Sequence, residues 1–476
     1  MERRAKIAAT LGPACDSTRT LTKMVRSGLD VARLNFSHGD RVTHYKLVRA
    51  LRRASQQAQR PVALLADLQG PRFRIGEVPG GALELEAGEQ VKLHTGRRRC
   101  APGGLPVTYA ALARDVQRGD RVLIEDGLIE LTVTGLRGSD VVCEVVRGGT
   151  VRDHKGINLP DSSLSVPAVT AKDARDLQTA VELGADWLAV SFVRRAADVA
   201  RARRLLKKAG RVIPVLAKIE RAEAIDRLDE ILEEADGLMI ARGDLGVELS
   251  AARVPILQKQ IIEKANALGK PVITATQMLD SMRHSPRPTR AEASDVANAV
   301  LDGSGCLLLT AETAVGEFPL EAITTMADII EQAEASGRTH RQAPPDGGLS
   351  ITITTCRAGC YAAADVQAKA LAVLTRGGAT ALQTSRFRPD TPILAFTPSE
   401  EVRRRLALVW GVQSFRLAER SRFRALLRSL DRALLDKRLA RRNDIVVVLM
   451  GDQTGAALSR TNLMRLHRVG SSLAAS

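Results

Sequence analysis

Three charged side chains, Lys218, Glu220 and Asp244, stand at the ends of two apolar runs in RVIPVLAKIERAEAIDRLDEILEEADGLMIARGDLGVE, residues 211 to 248. Side chains alternate faces along a strand, so in VIPVLAKIE a cation and a carboxylate, Lys218 and Glu220, share one face while Ile219 points back. Ile225, Leu228, Ile231 and Leu232 follow at helical spacing and predict one helix that returns the chain. GLMIARGD then lies parallel beside the first strand, and Asp244 emerges at the same end as Glu220. Two carboxylates on neighbouring strand ends, with a tight turn expected at Gly243, suit a hard divalent cation such as Mg²⁺ and leave positions for water and substrate. Lys218 beside them supplies a positive charge for a phosphate or a developing enolate. The competing reading makes Lys218 and Glu220 a structural ion pair and Asp244 a helix N-cap.

What must position these groups is a repeated strand and helix unit. Eight short apolar runs are each followed by a helical pattern: KIAATLG (6–12), LDVARLNFS (29–37), PVALLAD (61–67), DWLAVSF (186–192), VIPVLAKIE (212–220), DGLMIAR (236–242), PVITATQ (271–277) and GCLLLTAE (305–312). Eight such units imply a (β/α)₈ TIM barrel, whose reacting groups collect at the C-terminal strand ends. Those ends carry Thr10, Arg33 with Asn35 and Ser37, Asp67, Ser191, Lys218 with Glu220, Asp244, Thr276 with Gln277, and Glu312. As a set they are phosphate, cation and metal ligands rather than turn residues.

Between the third and fourth runs the period shortens from 3.6 to 2 in LELEAGEQVKL, DRVLIEDGLIELTVTGL and DVVCEVVRGG. This predicts a small antiparallel β-barrel inserted at the barrel mouth as a lid that excludes water from a phosphoryl group. After the eighth unit RTHRQAPPDGG reads as a linker, and KALAVLTRGGATA, TPILAFT, SFRLA and DIVVVLMGD then alternate with helices as a second α/β layer. The expected division is barrel 1–70, lid 71–166, barrel 167–343 and C-terminal α/β domain 344–476.

Composition bounds the partners. Hydrophobic residues make up 45% and aromatic residues 3%, a balance that suits buried parallel strands with covering helices. There is neither an apolar run long enough to span a bilayer nor a signal-peptide core after MERRAK, so a cytoplasmic protein with no membrane partner is expected. Six scattered cysteines without a C-x-x-C pair suggest neither a zinc site nor a disulfide framework; Cys306 reads as a buried hydrophobe and Cys356 with Cys360 as helix packing. The formal charge is +16, and residues 346–476 hold 21 Lys and Arg against 10 Asp and Glu. These arginines alternate with Leu and Ala at helical spacing, which favours a solvated helix face over nucleic-acid binding.

Along nearly its whole length the chain resembles pyruvate kinase. The matching stretches are TLGPA (10–14), VARLNFSHG (31–39), DLQGPRFRIG (67–76), HKGINLP (154–160), LAVSFVR (188–194), AKIER (217–221), MIARGDLGVE (239–248), VITATQMLDSM (272–282), PRPTRAEASDVANAVLDG (286–303) and ETAVGEFP (312–319). The resemblance implies transfer of the phosphoryl group of phosphoenolpyruvate to ADP, followed by protonation of the enolate to pyruvate. By it Glu220 and Asp244 bind Mg²⁺, for which Mn²⁺ substitutes, and Lys218 stabilises the phosphoryl group in flight. It assigns Arg33 to the transferring phosphate, Thr276 to the face where the enolate is protonated, and Ser191 with the backbone of Ala241, Arg242 and Gly243 to the substrate carboxylate. Asn35, His38, Arg74 and Lys155 match nucleotide-side positions, and a cytoplasmic homotetramer is implied.

Three departures carry expectations of their own. Gly305 stands where the family's L-D-G-[ST]-D stretch has an acid, read as a local structural change. In the C-terminal phosphate loop, Thr375, Gly377, Gly378 and Thr380, Gly377 replaces a hydroxyl, which predicts weak or selective response to a phosphorylated effector such as a sugar phosphate or AMP. Arg72 stands where K⁺-requiring members carry Glu and independent ones Lys, so its fixed charge predicts that K⁺ is not required. Asn35, Ser37 and Asp67 still match the family's monovalent-cation ligands, while Leu68 replaces a frequent Thr. A lyase or aldolase barrel using the same metal and enolate chemistry is the alternative enzyme, and an inactive barrel binding nucleic acid the alternative of another class.

Overall fold

The structure is a computed structural model that describes residues 3–96, 104–337, 350–420, 422–451 and 461–473. Strands Lys6–Thr10, Leu29–Asn35, Ala63–Asp67, Trp187–Val190, Val215–Ile219, Gly237–Ala241, Val272–Ala275 and Cys306–Leu309 close a parallel barrel, each falling within one of the eight apolar runs. The third and fourth strands pair directly across the insertion, Leu65 opposite Trp187, so the lid leaves the barrel as a loop between neighbours. The strands are nearly all apolar because parallel sheets under helices are buried on both faces.

The return from the fifth to the sixth strand differs in detail from the single helix expected. It is two short helices, Ala222–Asp226 and Leu228–Glu234, separated at Arg227 (φ −114°, ψ 22°). Leu228, Ile231 and Leu232 are buried while Ile225 is only partly so, so the apolar spacing marked the buried face and missed the break. Gly243 is likewise not a tight turn but the second residue of a helix, Arg242–Glu248.

The inserted module is a seven-stranded sheet with a separate two-stranded ribbon. Its pairings are antiparallel except for Gln90–Thr95 with Gly104–Val107, which is parallel, so the sheet is mixed. A bridge between Ile75 and Val107 joins its two edges around a core that includes Leu93, Leu131 and Val141. Gly70, at the outgoing crossing, has φ +70°, and a Cβ there would lie 2.8 Å from Phe192 Cδ2, so both conformation and space require glycine.

The C-terminal sheet runs in the order Val412–Arg416, Ile393–Thr397, Ala370–Leu374, Ile445–Gly451 and Thr461–Arg468, parallel except for the last strand. Helix Phe423–Asp436 buries Leu426, Leu427, Leu430 and Leu434 and leaves Arg424, Arg428 and Arg432 exposed, a solvated basic face. Cys306 is buried in the barrel, and Cys356 and Cys360 sit against the carbonyls of Thr380 and Thr384, so both packing expectations hold. The linker expected at 338–348, and Cys100, lie outside the described residues.

This second layer docks on the N-terminal face of the barrel. Arg404 donates to the fully buried Asp186 at 2.9 Å, Trp187 donates from its indole to the Arg405 carbonyl at 3.1 Å, and Lys6 donates to the Val412 carbonyl at 2.8 Å. Ala407 and Leu408 enter the cluster inside the barrel with Val31, Leu65, Leu216 and Leu308. The C-terminal layer therefore supplies the barrel's own floor. Leu408→Ala should cost about 2–5 kcal/mol, read as a clear fall in the thermal midpoint; an unchanged midpoint would mean that Leu408 is not part of the barrel core.

Candidate active site

At the C-terminal strand ends one ammonium ties three strands together. Lys218 Nζ lies 2.8 Å from Glu220 Oε1, 3.4 Å from Asp67 Oδ1 and donates to Ser191 Oγ at 2.8 Å. Ser191 Oγ in turn donates to the Leu68 carbonyl at 2.7 Å. On the other side of Asp67, Arg33 donates from Nε to Oδ2 at 2.7 Å and from Nη1 to Thr10 Oγ1 at 3.1 Å. Alternation along Val215–Ile219 and its continuation puts Lys218 and Glu220 on the same inward face, as the spacing predicts.

Electrostatics follow from that packing. Burial alone would lower the Lys218 ammonium, but the carboxylates of Asp67 and Glu220 outweigh it and hold its pKa above the ordinary lysine value. Burial would raise Asp67, yet Lys218 and Arg33 hold it below the usual carboxylate range. Glu220 moves the other way: burial raises it, Lys218 opposes, and the charge of Asp244 raises it further. Its second oxygen, Oε2, accepts from the Phe192 N–H at 2.7 Å. Asp244, in the first turn of its helix, is half-buried and has no hydrogen-bond or ion-pair partner among the described residues. It is not an N-cap, since that position is Ala241. A carboxylate without a partner beside a second whose charge it disfavours is an arrangement that a divalent cation completes.

Thr276 reaches the same face from the seventh strand end. Its Oγ1 accepts from the Gly243 N–H at 2.8 Å and donates to the Ala275 carbonyl at 2.6 Å. Thr276 and Gln277 have φ of 74° and 50°, a left-handed conformation costly for a β-branched residue and characteristic of positions held for function. Arg242 directs its side chain away, to Asp295 Oδ1 at 2.7 Å and the Thr276 carbonyl at 2.7 Å, so only its backbone is available at the strand end. Glu312 is a correction to the set: its carboxylate is fully buried and accepts from the N–H groups of Leu279 and Thr310, which makes it a loop fastener.

Between lid and barrel lies a cleft of about 370 Å³ lined by Arg72, Arg74, His154, Lys155, Arg221 and Asp244 among others. Arg72 is exposed with no partner among the described residues, Arg74 donates to the His154 carbonyl at 2.8 Å, and Lys155 pairs with Glu125. Partial burial and then the charges of Arg72, Arg74 and Arg33 hold His38 below the ordinary histidine value. Asn35 Oδ1 accepts from the Ser37 N–H at 3.0 Å, and Leu68 is buried. In the C-terminal layer Thr375, Gly377 and Thr380 line a separate cavity of about 350 Å³. There Thr375 Oγ1 accepts from the Gly378 N–H at 2.9 Å and Thr380 Oγ1 lies 2.7 Å from Thr461 Oγ1, so three of the groups expected to meet an effector already have partners within the protein.

Sequence reasoning missed Arg221 and Glu248, a buried pair 2.9 Å apart beside the carboxylates. Their signal was a charge directly after Glu220 and another four residues after Asp244, the second inside the apolar LGVEL.

An α/β barrel with a lysine and carboxylate cluster at its strand ends, beneath a β lid that turns Arg72, Arg74 and Lys155 to the cleft, defines a barrel phosphotransferase. The family model described as pyruvate kinase, barrel domain, matches residues 2–323, and that described as pyruvate kinase, alpha/beta domain, matches residues 354–467. Pyruvate kinase of Mycobacterium tuberculosis is 44% identical over 474 residues, covering 99% of each chain. That of Corynebacterium glutamicum is 42% identical over 478 residues, covering 99% of this chain and 98% of the relative. Pyruvate kinase 2 of Synechocystis is 42% identical over 473 residues, covering 98% of this chain and 80% of the relative. The chain belongs to the pyruvate kinase family.

Proposed function

We infer that the protein transfers the phosphoryl group of phosphoenolpyruvate to ADP and protonates the resulting enolate to pyruvate, the closing step of glycolysis. The observation that carries this reading is Lys218, held by Glu220, Asp67 and Ser191 beside Asp244, which has no partner among the described residues. Phosphoryl transfer needs little covalent help from a protein, so fixed positive charge and positioning supply most of the catalysis. Leaving out phosphoenolpyruvate, ADP and Mg²⁺ in turn from a coupled assay tests it: pyruvate should form only in the complete mixture, and formation without ADP would point instead to a lyase.

Glu220 and Asp244 hold Mg²⁺, or Mn²⁺ in its place. Among the described residues no group of three or more His, Cys, Asp or Glu could enclose a metal, so this pair leaves much of the coordination shell to water and substrate oxygens. When bound, the ion neutralises phosphoryl and carboxylate charge. Lys218 and Arg33 face the transferring phosphoryl group. Ser191 and the backbone of Ala241 to Gly243 receive the substrate carboxylate, for which the Gly243 N–H must exchange its bond to Thr276 Oγ1. Thr276, freed of that bond, orients the proton donor for the enolate. Asn35, His38, Arg74 and Lys155 take the nucleotide, with Lys155 leaving Glu125. The lid spans 71–166 between the barrel segments 1–70 and 167–343, and the domain 344–476 serves oligomerisation into a cytoplasmic homotetramer and weak or selective binding of a phosphorylated effector. No helix among the described residues is long and apolar enough to cross a membrane.

K⁺ is not required. Asp67 is already compensated by Arg33 and Lys218, and Arg72 adds a permanent charge on the cleft wall. In tetramethylammonium buffer at matched ionic strength the parent should gain less than about twofold from KCl, whereas Arg72→Glu should gain a K⁺ requirement. Strong K⁺ activation of the parent would overturn this.

A further inference from the structure

We propose that Arg221 and Glu248 are positioning residues that latch the lid to the metal-carboxylate strand ends, so that lid closure and divalent-cation binding are one movement. The proposal rests on the reading of Glu220 and Asp244 as a metal pair. Arg221 directly follows Glu220, and Glu248 ends the short helix whose first turn carries Asp244. Arg221 Nη1 donates to Glu248 Oε1 at 2.9 Å, which joins the two metal-bearing segments behind the site. Its Nη2 donates to the carbonyls of Leu159 at 3.1 Å and Ser162 at 3.2 Å, both in the stretch by which the lid returns to the barrel. Asn158, the last residue of lid strand Gly156–Asn158, donates from Nδ2 to Glu248 Oε1 at 3.4 Å. One guanidinium thus ties the lid's return stretch to the helix that carries Asp244.

The grip is incomplete. Arg221 and Glu248 are 3% and 2% exposed, and Arg221 Nε lies 3.6 Å from Glu223 Oε2, yet these two atoms and Glu248 Oε2 are all buried without a hydrogen-bond partner. A purely structural pair at this depth would be satisfied, because a buried polar atom left unpaired costs about 1–3 kcal/mol. One donor and two acceptors are therefore short of hydrogen bonds that a second arrangement can supply, and a bidentate arginine–carboxylate contact is the stronger form of the pair. Drawing Glu220 and Asp244 onto one cation moves the residues that follow them, which are both ends of the latch. The lid segment 158–162, bonded to those ends, moves with them. By linkage, whatever favours the closed lid also tightens the cation.

The experiment uses the full chain and Mn²⁺ alone, without substrates. Mn²⁺ affinity is read by water-proton relaxation, and lid position by hydrogen exchange over 156–164. In the parent, Mn²⁺ should slow exchange in that segment. The double variant Arg221→Met/Glu248→Leu removes both charges together, which avoids leaving one buried alone. It should lose the Mn²⁺ effect on the lid and bind Mn²⁺ roughly tenfold more weakly, with kcat falling in proportion. Arg221→Lys, keeping the charge but not the fork, should fall between and serves should the double variant not fold. Mn²⁺ slowing exchange in either variant as in the parent overturns the latch. Absence of pyruvate formation by the parent, in contrast, overturns the functional reading on which it rests.

Discussion

Asp244→Asn should abolish most turnover while leaving the fold untouched. Asp244 has no partner among the described residues to lose, and removing its charge relieves Glu220, whose ionisation it opposes. The thermal midpoint should stay level or rise slightly. At ordinary Mg²⁺ concentrations activity should drop by roughly a thousandfold, because a bound metal contributes several kcal/mol of transition-state stabilisation. Glu220→Gln should lose similar activity but also stability: its oxygens hold both Lys218 and the Phe192 N–H, and a buried donor left unpaired costs about 1–3 kcal/mol. Steady-state kinetics and thermal melts of both variants check this contrast. Asp244→Asn with near-parental kcat at limiting Mg²⁺ would remove it from the metal site.

Lys218→Met should lower kcat by on the order of 10³ with little change in the KM for phosphoenolpyruvate. The charge matters most while the phosphoryl group is between donor and acceptor, so its loss falls on the transition state and not on binding. The structure adds a second consequence. Asp67 and Glu220 are nearly fully buried and both depend on this ammonium, so the variant should also lose about 3–5 kcal/mol. Asp67 retains Arg33, whereas Glu220 retains no cationic partner among the described residues and should take up a proton. A KM that rises as much as kcat falls would make Lys218 a binding residue instead.

Much of this was legible in the chain. Parallel barrel strands are buried on both faces, so each appears as an unbroken apolar run ending where the chain meets the site. That signal placed all eight strands and brought Lys218, Glu220 and Asp244 to one end. Residues with mainly local partners were readable too, as with the solvated arginines of Phe423–Asp436. What failed depends on partners distant in sequence. Glu312 looks like a ligand until Leu279 is seen to donate to it. Leu408 looks like any apolar helix residue, yet fills the floor of a barrel whose first strand begins at Lys6. Strand Thr461–Arg468 escaped notice because its exposed edge position leaves it rich in Arg and His and without an apolar run. The kink at Arg227 escaped for another reason, since buried spacing survives a short break in the helix.

The central claim is that the cluster around Lys218 moves a phosphoryl group from phosphoenolpyruvate to ADP. ³¹P NMR of one mixture of enzyme, phosphoenolpyruvate, ADP and Mg²⁺ follows that group directly. The account predicts that the phosphoenolpyruvate resonance is replaced, phosphorus for phosphorus, by the γ-phosphate of ATP, and that Asp244→Asn leaves the spectrum unchanged over the same interval. Inorganic phosphate appearing in place of ATP, or transfer by Asp244→Asn at the parental rate, would contradict it.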